Sequence, residues 1–155
     1  MEYQQARMLR RAFLLGAITD ALALIPMLFP SMASLLWGFH DVSGSYRFAM
    51  GYGATLMLAW TILLIWAYQR PLERRFVAAL TVLVIYGLVA TEVSAVASGH
   101  LAAWRMVPTW SLQAVLLVLF ASAYHYPWVK RWVAAQQAVS GLLPQADSHI
   151  RRSRR

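Results

Sequence analysis

The sequence predicts an all-α protein embedded in a membrane as a four-helix, up-down-up-down bundle. Three observations predict it. Of the 155 residues, 60% are hydrophobic and only 13% are charged, about half the charged share of a soluble domain. Mean hydropathy is +0.52, more apolar surface than a soluble fold of this size can hide. The few charges are also grouped, leaving four charge-poor intervals, each able to hold the ~20 apolar residues that cross a bilayer.

The intervals place the helices in order. Between Arg11 and Asp41 the only charge is Asp20, and a first helix is expected near 12–37. Between Arg47 and Arg70 there is none, giving a second near 47–68. Glu92 alone interrupts Arg75 to Arg105, giving a third near 76–98, and the clean stretch from Arg105 to Lys130 gives a fourth near 107–127. The apolar runs are continuous rather than alternating, which argues against strands. Residues 38–46 carry Gly and Ser turn chemistry. Pro71 is placed to open the third helix, and Gly99 to stop it. Short links of this kind force successive helices to run antiparallel. Residues 1–127 thus form the four-helix domain, and 128–155 a separate tail.

Lys and Arg set the expected threading. Arg7, Arg10 and Arg11 precede the first helix, Arg70, Arg74 and Arg75 fill the second link, and Lys130, Arg131, Arg151, Arg152, Arg154 and Arg155 follow the last helix. Only Arg47 and Arg105 fall on the other side. The positive-inside rule then puts both termini in the cytoplasm. Trp37, Trp104 and Trp110 are expected in an outer aromatic belt, and Trp66, Tyr68, Trp128 and Trp132 in an inner one. The Arg-rich start and Ser31-Met32-Ala33 have a signal-peptide look. Asp20 and Pro26 interrupt that apolar run, and it exceeds a typical signal core, so the first helix is read as retained.

The segment Ser45-Tyr46-Arg47-Phe48-Ala49-Met50-Gly51-Tyr52-Gly53-Ala54, followed by Trp60 and by Ala67-Tyr68-Gln69-Arg70-Pro71-Leu72-Glu73-Arg74-Arg75, resembles a group of small four-helix bacterial integral membrane proteins with no assigned activity. The resemblance covers about residues 12–126. It implies a bacterial cytoplasmic (inner) membrane and four helices, and it brings no catalytic residue with it.

Function must come from polar residues inside the spans, where a charge costs about 2.5–3.5 kcal/mol on insertion scales and usually faces the bundle interior. Glu92 lies about 24 Å along the third helix from Phe76, among Thr91, Ser94, Ala95 and Ser98. Gln113 and Thr55 fall at similar depth on the neighbouring helices, and Tyr52, Arg47, Trp110 and His100 approach from the outer rim. Glu92, Gln113, Tyr52, Thr55 and Arg47 are therefore the candidate ligand or proton pocket, open to the outside. The competing reading makes Glu92 interhelical glue, bonded to Gln113 or paired with Arg47 or Arg105. Asp20 is a second buried acid, about 12 Å into the first helix from Ala12, with Pro26 and Pro30 beyond it inviting a kink. Its alternative is a structural acid that pairs or snorkels.

Other chemistry is thinly supported. There is no cysteine, which excludes disulfides and thiolate-bound metals. His40 and His100 sit at the outer rim and His125 at the opposite face, with no ligand-pair spacing, so no metal or haem site is expected. Gly51, Gly53 and Ala49 read as a packing surface. Trp128, Trp132, Ala135, Val139 and Leu142 share one helical face, so the tail reads as an interfacial amphipathic segment. Its terminal arginines would meet anionic lipid rather than nucleic acid. Three function classes follow: a non-enzymatic binder or carrier of a small apolar or cationic molecule, a structural or accessory subunit of a membrane complex or homo-oligomer, and an intramembrane enzyme. No paired acid and base, nucleophile or cofactor motif supports the third, and no cofactor is expected.

Overall fold

A computed structural model describes residues 2–38 and 43–126. Among them are five helices: α1 (Glu2–Leu28), α2 (Pro30–Trp37), α3 (Gly44–Gln69), α4 (Phe76–Ala97) and α5 (Ala103–Tyr126). Four of these, α1, α3, α4 and α5, are long and apolar enough to cross a membrane. The architecture is the expected all-α membrane bundle. The described residues up to Tyr124 form one compact unit. The amphipathic tail proposed for 128–155 lies outside the described residues.

The first span departs from the single helix expected near 12–37. α1 starts ten residues earlier, because Gln4, Gln5, Ala6, Arg7, Met8 and Leu9 are strong helix formers whatever their polarity. The helix then breaks at Phe29, held extended at φ −112°, ψ 101°. Pro30 disfavours helical geometry in the residue before it, and its fixed φ starts α2 afresh at the first position. The Phe29 carbonyl accepts from Met32 N at 2.9 Å, while its N–H still closes the last turn of α1 onto Ile25 O at 2.9 Å. Pro26 stays inside α1. α2 ends at Gly38, whose φ of 80° is left-handed and whose N–H donates to Ser34 O. Arg105 reaches this end from α5 and donates to Leu35 O at 3.4 Å.

The remaining boundaries have local causes. The Ser43 hydroxyl accepts from Tyr46 N at 3.2 Å and caps α3, an N-cap arrangement typically worth about 1 kcal/mol. Pro71 does not open α4. It lies in the turn over 71–75, and α4 begins at Phe76. Arg74 holds this turn against α3: it donates to Trp66 O, and its guanidinium lies 3.6 Å from the Trp66 ring centroid. The left-handed Gly99 closes α4, with its N–H on Val96 O and His100 N on Ala95 O.

The packing is antiparallel where contacts report it. Gly16 on α1 lies against Leu64 of α3 and Phe120 of α5, and Gly53 of α3 meets Met27 of α1. At the start of α1, Gln5 donates to Ala123 O of α5 at 3.4 Å. The core runs through Leu9, Ala12, Phe13 and Ala17 to Leu64, Ala67, Leu116, Phe120 and Ala123, with Val77, Ala78 and Ile85 of α4 added. Phe13 and Phe120 tilt against each other at 5.9 Å. Small residues bring the backbones close, the usual device where lipid removes the hydrophobic drive between helices. Outward faces are apolar, with Phe48, Leu83 and Val118 largely exposed to the bilayer. Hydroxyls in the spans turn back onto their own helices, as Thr61 does to Met57 O, Thr81 to Val77 O and Thr91 to Gly87 O. Each is thereby satisfied where no water reaches.

Candidate functional site

The expected partnership of Glu92 and Gln113 forms. Gln113 Nε2 on α5 donates to Glu92 Oε1 on α4 at 2.9 Å. Two mid-helix residues 21 positions apart meet because the tight link at 98–102 turns α5 back along α4. Gln113 is 8% exposed, and Glu92 is half-buried. Each residue keeps one buried oxygen without a partner: Glu92 Oε2 and Gln113 Oε1. One turn earlier on α5, the Trp110 indole lies against the same carboxyl, yet its N–H is buried and outside hydrogen-bond geometry. The site therefore offers two acceptors and one indole N–H donor. Acceptors of this kind hold a cation or an N–H or O–H donor.

The other three pocket candidates point elsewhere. Tyr52 is 65% exposed on the outside of α3. Thr55 is exposed and bonds Gly51 O of its own helix at 3.0 Å. Arg47 is exposed and lines a separate groove with Met27 and Gly51. Neither Arg47 nor Arg105 pairs with Glu92; among the described residues the ion pair present is Arg70–Glu73 at 3.4 Å. Trp110, expected in an aromatic belt and at the rim of the Glu92 level, is half-buried beside Glu92. Its position three residues before Gln113, on the same helix face, accounts for that placement.

Asp20 lies on the packed face of α1, following Phe13, Gly16 and Ala17 at helical spacing. The register that sets Gly16 against Leu64 and Met27 against Gly53 puts Asp20 level with Trp60 near the middle of α3. The Trp60 indole N–H is buried and unpartnered. The Asp20 carboxylate has no hydrogen bond or ion pair among the described residues. His100 is exposed just beyond α4, and His40 lies outside the described residues. No group of three metal-ligating side chains occurs among the described residues.

No protein-family model matches this chain, and no curated protein or solved structure matches it. Its class follows from its helices: it is a multi-pass α-helical membrane protein in contact with the lipid bilayer.

Proposed function

We propose that this membrane protein binds or carries a small apolar or cationic molecule at the Glu92–Gln113–Trp110 site. The observation that carries this reading is the pair of buried, unpartnered oxygens, Glu92 Oε2 and Gln113 Oε1, within the spans. An unsatisfied polar group in hydrocarbon costs several kcal/mol. A site that keeps two acceptors and an indole N–H unmatched is suited to a ligand that matches them. The hydrogen bond between Glu92 and Gln113 favours the second reading, in which the pair only holds α4 to α5, since such bonds average about 0.6 kcal/mol.

Tetraphenylphosphonium, a lipophilic cation, separates the two. In purified protein it should raise the melting temperature of the parent. Glu92→Gln should melt like the parent without it and bind it at least about tenfold more weakly, having lost the charge. No shift with the cation, together with a loss of about 1 kcal/mol in Glu92→Leu alone, overturns the binding reading in favour of the structural one.

The setting proposed is the cytoplasmic membrane of a bacterium, with both termini inside, following the distribution of Lys and Arg and the family resemblance. Reporter fusions at 72 and 155 should read cytoplasmic, and fusions at 43 and 102 external. An external carboxyl terminus overturns this threading.

A further inference from the structure

We infer that the groove beside the α1–α2 break binds the phosphodiester headgroup of an anionic phospholipid, with Arg47 as its cation. The groove holds about 270 Å³ and is walled by Met27, Leu28 and Pro30 on one side and by Met50 and Gly51 of α3 on the other. Tyr46 and Arg47 close the polar end. It exists because Pro30 ends α1 and lets the chain bend away from α3, and because Gly51 has no side chain to fill the gap; a Cβ there would meet nothing within 4 Å.

Charge, depth and size together select the occupant. Arg47 is exposed, and its guanidinium makes no hydrogen bond or ion pair among the described residues. It sits four residues past the Ser43 cap of α3, so its guanidinium is at the end of a span, where lipid phosphates lie. A guanidinium matches a phosphate's oxygens in a bidentate fork. The volume is below the roughly 300 Å³ at which pockets for drug-sized ligands begin. It suits a headgroup whose acyl chains remain outside, against Leu28 and Phe29, each 58% exposed. A second copy of this chain is a poor complement, because it carries only 6 acidic residues and a net charge of +8.

The experiment uses the full-length protein, with retained lipid counted by native mass spectrometry and affinity taken from melting shifts. The probes are phosphatidylglycerol, phosphatidylcholine and inorganic phosphate. The parent should hold one more phosphatidylglycerol than Arg47→Gln, whose affinity should fall roughly fivefold, the effect of one basic group at an anionic surface. Gly51→Leu, which fills the groove and leaves the charge, should lose the same lipid, and Arg47→Lys, which keeps the charge without the fork, should fall between the parent and Arg47→Gln. The basic tail is common to all variants, so its own lipid cancels in the comparison. Glu92→Gln should retain lipid like the parent, which separates this site from the cation site. Equal retention in Arg47→Gln and Gly51→Leu overturns the inference. So does equal preference for phosphatidylcholine, or equal protection by inorganic phosphate.

Discussion

Replacing Gly16 by leucine is expected to abolish the folded bundle. Gly16 sits where three helices converge, and a Cβ there would stand 2.9 Å from Phe120 Cζ and 3.2 Å from Leu64 Cδ1. Neither neighbour has room to retreat: Phe120 and Leu64 are fully buried, and Phe120 is already braced against Phe13. A single methyl, in Gly16→Ala, forces the Phe120 ring to move and should cost about 1–3 kcal/mol, the usual range for overpacking. Leucine adds three further carbons at the same point, so α1 must separate from α3 or α5. Thermal unfolding of purified protein should show a lowered midpoint for the alanine variant and no cooperative transition for the leucine variant. Gly16→Ala combined with Phe120→Leu should recover part of the loss, because the shortened side chain vacates the contested volume. Gly87→Ala is the control, at an open position with nothing within 4 Å. A Gly16→Leu variant that melts with the parent would mean that α1, α3 and α5 do not pack through this point.

How much of this was legible depends on which coordinate of a helix is asked for. The extent of each span along the chain was readable, since charges are costly in hydrocarbon and so bound the apolar runs. Hence the spans, the Gly99 stop and the meeting of Glu92 with Gln113 follow from counting residues. Rotation about the helix axis was not readable. Lipid is as apolar as the core, so helices buried in a membrane are hydrophobic all round, and no polarity contrast shows which side faces inward. Residue spacing alone puts Tyr52 and Thr55 at the level of Glu92, yet both are exposed on α3 and neither reaches it. Trp110 has the depth of a belt residue and the orientation of a site residue. The chain break was hidden for a different reason. Pro26 and Pro30 carry the same local penalty, and only the restart of a helix at Pro30 distinguishes the break from the tolerated proline. The early start of α1 escaped because a search for apolar runs cannot see helix that continues outside the hydrocarbon.

The two acids in the spans divide along the same line. Glu92 has a partner whose position was countable. Asp20 is set by rotation onto the packed face of α1 and has none among the described residues, although the indole N–H of Trp60 lies at its level without a partner of its own. Two unmatched groups at one depth amount to a local conflict between sequence and fold. Natural proteins keep such conflicts chiefly where function requires them.

Asp20→Leu should therefore make the protein more stable. On insertion scales an aspartate at a helix centre is unfavourable by about 2.5–3.5 kcal/mol, while a leucine is favourable by about 0.3–0.6 kcal/mol. With no hydrogen bond or ion pair to offset the penalty, the exchange should gain on the order of 3 kcal/mol in insertion of the first span. Part of that gain will be lost if the larger side chain strains the contact between α1 and α3. Asp20→Asn keeps the shape and hydrogen-bonding capacity while removing the charge, and should fall between parent and Leu variant. The measurement pairs a membrane-insertion assay of the first span with thermal unfolding of the whole protein. A lowered midpoint in both variants would show that Asp20 has a partner in the folded protein and is structural. A raised midpoint in the Leu variant, with tetraphenylphosphonium binding at the Glu92 site retained, is the expected outcome for an unpartnered acid that costs the first span stability.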